Sequence, residues 1–400
     1  MEAKSTSRWY YLIFVLAMLG AVVYLVHSCQ GGPMGFAQWY RLDGSAYVLE
    51  YKGDRSEVTV RVRRPGAEPV VLGQAEASQM PRVLGEHGSD RLLEFAGPLN
   101  EPIGEVRLLS LEGEEIEKIA LAEKAFPLQK IQQSVIACKG FDNSSRQMNG
   151  LVRFDLDGSV KVDFGVDATF GYYAAERAPR LLVWGDGGEN DGCRLYNFDT
   201  GEPIETIAKS RGFLSPDGET MILADPGEKT VLVKTVEKSL GDLTLKRVEV
   251  DRASFRFTPD SSILGVSDRN MLHLAALEPF ELVVTIEAPG EDVYDPAQFY
   301  PLPGRRIVAC RVSGGLANPK RVIVVYDAEG NAIFEKVLEP VGEDTVPVFA
   351  MMPDEAGRTL YLLHGDTVDT LELPMAKAGE PDRPETPQTP GDDEQDGQNR

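Results

Sequence analysis

The sequence has little of the chemistry that binds metals and moves protons. Histidine occurs only at His27, His87, His273 and His364, and cysteine only at Cys29, Cys138, Cys193 and Cys310. No two cysteines stand in a CxxC or another short paired spacing, which excludes a zinc-finger-type site and a dense disulfide framework. Cys138 (SVIAC) and Cys310 (RIVAC) end apolar strand-like runs, where a thiol acts as a small core hydrophobe. A Cys138–Cys193 bridge is the alternative in an oxidising compartment. Basic side chains are also short, 41 against 63 acidic ones, for a net charge of −22. That balance excludes nucleic acid as a partner, because phosphate binding needs a basic footprint. There is no GxSxG elbow, no P-loop and no GxGxxG opening a helix. No catalytic residue is assigned, and no cofactor is expected.

One long apolar run is present. Trp9 to Val26 reads WYYLIFVLAMLGAVVYLV without a charge. As a helix it spans about 27 Å, close to the roughly 30 Å of a bilayer's hydrocarbon core. Trp9, Tyr10, Tyr11 and Tyr24 suit its interfaces. Lys4 and Arg8 precede it, and no formal charge follows until Arg41. Residues 1–8 are therefore expected in the cytoplasm, 9–28 as a transmembrane anchor, and the rest outside, periplasmic or at the cell surface. Two alternatives stand beside this anchor. The run could be a cleaved signal peptide, though it exceeds a usual h-region. Val26-His27-Ser28-Cys29 also partly resembles a lipobox, which makes Cys29 a lipidation candidate; His27 departs from that pattern.

The rest is rich in turn formers, with 39 Gly and 26 Pro, and it repeats. GFLSPDGE from Gly212 leads into TMILAD, TVLVKTVEK and LKRVEV. SFRFTPDSS from Ser254 leads into ILGVSD, MLHLAALE and LVVTIEA. QFYPLPGR from Gln298 leads into RIVACRVS, KRVIVVYDAEG and AIFEKVLE. VFAMMPDEAGR from Val348 leads into TLYLLHGD and TVDTLELP. Residues 104–121, 149–166 and 192–209 are weaker copies that share a strand–turn–strand pattern. First turns fall near Gly44, Gly88, Gln132, Pro179, Asp217, Asp260, Pro303 and Asp354. Their spacing of about 43 residues is the length of a four-stranded blade.

The S-P-D-G and T-P-D-S turns before apolar strands resemble those of YVTN-type and WD40-like propeller repeats, over residues 36–374 and most clearly over 190–374. The resemblance implies an all-β fold, a seven- or eight-bladed β-propeller behind one N-terminal transmembrane helix. The eight turns favour eight blades; seven follow if 36–74 lies outside the ring. It implies no activity, since propellers host unrelated functions. The Gly-His and Trp-Asp marks of WD40 repeats and the tryptophan-ended repeats of quinone-binding propellers are missing. The last copy has three strands, and residues 36–42 (FAQWYRL) are expected to add the fourth and clasp the ring.

Few residues suggest chemistry. Asp186, Glu189 and Asp191, in a Gly-rich acidic loop, are the metal candidates, with hard oxygens that suit calcium but without EF-hand spacing; a solvated loop is the plainer reading. Asp43-Gly44, Asp157-Gly158 and Asp217-Gly218 read as turns, and Ser215 belongs to such a turn. Asn143-Ser144-Ser145 is a sequon. Arg61 and Arg63 share a strand face, next to Arg64, and suggest either an anion site or a charged edge strand. Residues 375–400, with Pro381, Pro384, Pro387 and Pro390 and seven acidic against three basic groups after Met375, read as a solvated tail or an acidic docking peptide. The function expected is a membrane-anchored extracytoplasmic scaffold, with other proteins at the membrane surface as partners and the membrane contacted through 9–26. The alternatives are a lactonase-like enzyme with its site in the central funnel, and a lipoprotein like the eight-bladed member of the bacterial outer-membrane β-barrel assembly machinery.

Overall fold

Short β-prone segments joined by tight turns pair with their sequence neighbours, antiparallel. The computed structural model describes residues 34–375, less 54–56, 77–81, 96–100, 132, 143–146, 167–168, 170, 186–191, 210, 226, 314–319 and 340–348. The first sheet runs β1 (Met34–Leu42), β2 (Ser45–Gly53), β3 (Val58–Arg63) and β4 (Val70–Ala75). A seven-stranded sheet follows. It holds β5 (Arg82–Leu84), β6 (Arg91–Phe95), β7 (Ile103–Ser110), β8 (Glu115–Ile131), β9 (Ser134–Asp142), β10 (Gln147–Asp155) and β11 (Val160–Asp163). The long β8 pairs with β7 mainly through its first half and with β9 through its second, so two four-stranded units share it.

Four more sheets repeat the order. They are β12 (Gly171–Ala174), β13 (Arg180–Trp184), β14 (Cys193–Asn197) and β15 (Pro203–Ile207); then β16 (Arg211–Leu214), β17 (Thr220–Ala224), β18 (Thr230–Thr235) and β19 (Ser239–Thr244). Next come β20 (Ser254–Phe257), β21 (Ile263–Asp268), β22 (Met271–Leu277) and β23 (Phe280–Glu287). The sixth sheet is β24 (Val293–Leu302), β25 (Arg306–Ser313), β26 (Lys320–Tyr326) and β27 (Ala332–Val337). The last has three strands, β28 (Phe349–Pro353), β29 (Thr359–His364) and β30 (Thr367–Glu372). Among the described residues no helix is long and apolar enough to cross a membrane. The run 9–26, Cys29 and residues 376–400 lie outside them.

Second and third strands are apolar on both faces, so every sheet needs cover on both sides. Alternate residues supply it. Leu182 packs toward Leu214, Met221 and Leu223 of the next sheet, while its neighbours Leu181 and Val183 pack back against Ile136, Leu151 and Val162. Ile222 then joins Val231 and Val233 against Leu264 and Val266. Equivalent cores fill the remaining joints. Each fully buried Leu, Ile or Val contributes about 1.5–3 kcal/mol. The eighth core joins the last sheet to the first: Trp39, Ala46 and Val48 meet Ala350, Met352, Tyr361 and Leu363.

At that joint the clasp expectation is corrected. Residues 36–42 belong to β1, which pairs with β2 along its whole length around the Asp43-Gly44 turn. A local hairpin wins over a distant strand exchange because it costs less loop entropy. Side chains close the ring instead. Trp39 Nε1 donates to the Ala350 carbonyl at 3.1 Å, and its ring lies 5.8 Å from that of Tyr361. Arg63 donates to the fully buried Glu50 at 2.6 Å and reaches Asp366 at 3.2 Å. Arg63 therefore sits on an inner strand, paired and buried, and the charged-edge reading fails for it. Cys138 and Cys193 are free and buried, so the bridge is overturned and the core-hydrophobe reading holds.

LKRVEV, expected as a strand over 245–250, is not one; β19 ends at Thr244. Its amides are claimed elsewhere. The buried Asp268 carboxylate accepts from the backbone N–H groups of Lys246 (2.7 Å), Arg247 (2.9 Å) and Val248 (2.7 Å). His273, also buried, lies 3.4 Å from Asp268 through Nε2 and 3.0 Å from Thr285 through Nδ1. Burial opposes ionisation of Asp268, yet the three amides outweigh it and its carboxyl sits below the usual range. Burial pushes the His273 imidazole down, more than Asp268 lifts it.

Three outcomes follow. Arg63→Met leaves Glu50 buried without its partner and should lower unfolding free energy by about 3–5 kcal/mol. Urea denaturation should show part of that loss recovered in Glu50→Met/Arg63→Met. Asp268→Ala strips three amides of their acceptor and should cost about 3 kcal/mol or more by the same measurement. Acidification should also destabilise. The unfolded chain binds a proton at His273 below about pH 6.5, and one at Asp268 below about pH 3.9, more readily than the folded one. Urea midpoints measured from pH 7 to 5 should therefore fall, and His273→Asn should flatten the decline.

Candidate functional site

First strands β1, β5, β12, β20, β24 and β28, with the end of β8, line a central funnel. Two cavities of about 960 and 570 Å³ occupy it, sharing Gln38, Arg41, His87, Tyr173, Glu176 and Arg256. One end is bounded by first turns, at Asp43-Gly44-Ser45, His87-Gly88 and Asp354-Glu355-Ala356. The other is bounded near strand beginnings, at Phe36, Phe255 and Phe349, and by Ala297 at the irregularity of β24. Arg177, after β12, reaches Glu355, after β28, at 3.2 Å.

Local packing aims His87 into the funnel. Gly85 passes so close beneath Tyr40 and Tyr47 that a Cβ there would lie 2.7 Å from the Tyr47 hydroxyl. The Arg41 backbone N–H donates to His87 Nδ1 at 2.9 Å. That bond makes Nδ1 an acceptor, so the ring proton sits on Nε2 and the imidazole is neutral. Burial, then the Arg41 charge, push its pKa down to about 4. Lys130 is held by Glu86 and by Ser89 at 3.2 Å. Glu176 and Tyr173 are exposed to the funnel, which encloses them with protein. Enclosure accordingly raises the Glu176 carboxyl, against the pull of Arg41 and Arg177, and raises the Tyr173 phenol.

The opposite end is aromatic. Tyr173, Phe213 and Phe255, from β12, β16 and β20, stand in a row with ring centroids 6.4 and 5.0 Å apart. Arg256 lies 4.2 Å from the Tyr300 ring centroid, and Arg321 lies 5.2 Å from that of Phe349.

The sequence-derived candidates fall elsewhere. Asp186, Glu189, Asp191, Cys29 and the Asn143 sequon lie outside the described residues. The three described histidines are not gathered: His87 faces the funnel, His273 is sealed beside Asp268, and His364 Nε2 meets the Glu339 carbonyl at 2.6 Å. Among the described residues no group of three or more His, Cys, Asp or Glu is placed to hold a metal.

The turn carboxylates are occupied as turns require. Asp217 accepts from Ser215 Oγ (2.6 Å) and the Glu219 amide (2.9 Å), and Gly218 takes φ +72°. Asp260 repeats this with Thr258 (2.5 Å) and the Ser262 amide (3.1 Å). Sequence reasoning missed Arg41, His87, Tyr173, Glu176 and Arg256 as a set. One signal was available: many repeats open with an aromatic residue, as in GYYA, GFLS, SFRF and VFAM.

No family model and no curated protein matches the chain. Solved structures similar to it include BamB from Moraxella catarrhalis, at 12% identity over 84% of this chain and 95% of that one, with a TM-score of 0.49. Hsv2 from Kluyveromyces lactis matches at 9% identity over 76% and 97%, TM-score 0.48. AztD from Citrobacter koseri matches at 13% over 76% and 86%, TM-score 0.46. The assignment of architecture rests on the chain's own sheets. Hairpin-ordered, mostly four-stranded, packed face on face until the last meets the first, they make this protein a β-propeller.

Proposed function

We propose that the chain is a membrane-tethered, extracytoplasmic scaffold, an eight-bladed propeller that binds another protein. Eight blades are supported by eight cores, seven between sheets and one between the two halves of the seven-stranded sheet, and by β8 serving two units. The first sheet packs on both its neighbours, which argues against leaving 36–74 outside the ring. The tether is supported by the uncharged run 9–26 behind Lys4 and Arg8. β1 begins at the aromatic end of the funnel, so the chain enters the ring on that face.

The observation that carries the scaffold reading is how the funnel's polar groups are used. Lys130 is tied to Glu86, Arg177 to Glu355, and Asp354 to the Arg358 and Thr359 amides. Structural partners hold these groups, while aromatic rings and stacked arginines line the opposite mouth. Such surfaces suit contact better than proton transfer. A second reading survives on one point: neutral His87 and the raised carboxyl of Glu176 share both cavities. A funnel hydrolase of the lactonase type would use such a pair.

Affinity purification from detergent-solubilised membranes should recover a specific partner; repeated recovery of the chain alone would count against the scaffold. Turnover of a lactone panel, abolished by Glu176→Gln, would establish the hydrolase instead. Carbonate extraction should leave the full chain with the membrane and release residues 30–400 expressed alone. Cys29→Ala should not change this for an anchor, whereas loss of fatty-acid label in that variant would establish the lipoprotein.

A further inference from the structure

We propose that the aromatic mouth of the funnel binds an extended acidic peptide carrying aromatic or long aliphatic side chains. This deepens the scaffold reading by naming the partner's chemistry.

The apolar half of the argument is geometric. Tyr173 and Phe255 line the cavity, and the part-buried Phe213 of the blade between them completes the row, with ring centroids 6.4 and 5.0 Å apart. Side chains two residues apart on an extended peptide are about 6.6 Å apart, so alternate side chains of such a peptide can meet the rings that line the wall. Phe36, 58% exposed, and Tyr173, 39% exposed, present open ring surface to such a ligand.

The charged half comes from three arginines lining the same cavity, Arg41, Arg256 and Arg321. The short contacts that hold them are to carbonyls and rings, and Arg41 acts on Glu176 through its charge alone. Arg41 Nε donates to the Pro353 carbonyl at 3.4 Å. Arg256 stacks on Tyr300 and donates to the Ala297 carbonyl at 2.8 Å. Arg321 stacks on Phe349, and its Nε is buried with no hydrogen-bond partner. Among the described residues none of the three makes an ion pair, although the chain carries 63 acidic side chains. Of the two carboxylates at this mouth, Asp295 accepts the Ala297 amide at 2.9 Å. Glu176 is the other; enclosure raises its carboxyl pKa, against the pull of Arg41 and Arg177. Stacked guanidinium groups are fixed in advance, so little side-chain entropy is lost when a carboxylate docks.

The test uses the full chain in detergent and fluorescence anisotropy of labelled Glu-Phe-Glu-Phe-Glu-Phe. This probe should bind at least about tenfold more tightly than Lys-Phe-Lys-Phe-Lys-Phe. Arg256→Ala and Arg321→Ala should each weaken it about fivefold or more, and Arg321→Lys should not restore it, because an ammonium cannot reproduce the planar stack. Tyr173→Ser, at a solvent-touching position, should weaken binding without changing the melting temperature. Equal binding of the two peptides would overturn the proposal. So would unchanged affinity in folded arginine variants, or displacement by ATP at lower concentration than by unlabelled acidic peptide. A membrane partner still captured by Arg256→Ala/Arg321→Ala would leave the scaffold standing and overturn this site.

Discussion

Everything in this molecule follows from sheets that are apolar on both faces. A single four-stranded sheet such as β16–β19 cannot fold alone, because β17 is buried along its length and has no face to give to water. Stacking one neighbour covers one side only. The arrangement stops requiring further cover when the last sheet reaches the first, and the core of Trp39, Val48, Met352 and Leu363 is where it stops. That core is worth more than its own area, since without it two apolar faces would stand open.

Closure here depends on side chains and not on an exchanged strand. The last sheet has three described strands, and β1 stays with its own sheet. The joint instead concentrates polar contacts: Trp39 to Ala350, Lys52 and Arg63 to Asp366, and Arg63 to Glu50. A buried ion pair gives little net stability, but breaking it is costly. It also fixes register, because Arg63, opposite Val48, meets Glu50 diagonally across its own hairpin and reaches Asp366 only when the ring is shut. The joint is thus selective for one closed form.

Much of this was legible in the sequence because propeller turns are local. The eight predicted first turns all fall between the first and second strands of a unit, from Gly44 to Asp354. Gly takes positive φ and Asp caps its own turn amides whatever the distant chain does. Expectations failed where distant chain decided. LKRVEV has strand-like residues, but Asp268, eighteen residues further on from Val250, takes its amides. Residues 36–42 were misassigned by following ring closure over the adjacent Asp43-Gly44 signal. The funnel was illegible as a site for a different reason. Arg41, His87, Tyr173, Arg256 and Glu355 are scattered along the chain, and no spacing rule joins residues that only a closed ring brings together.

Charge gives the funnel its meaning. At −22 the protein repels acidic partners at long range, but that repulsion fades beyond roughly 8 Å at physiological ionic strength. Within contact distance the local pattern decides, and at the aromatic mouth it is three arginines against two carboxylates, Asp295 and Glu176. Sign reversal at short range makes such a surface selective. A merely acidic chain leaves the rings uncovered, and a merely apolar one leaves the guanidinium groups desolvated without a partner. Only a segment offering both rings and carboxylates, in extended alternation, satisfies the wall and the arginines together.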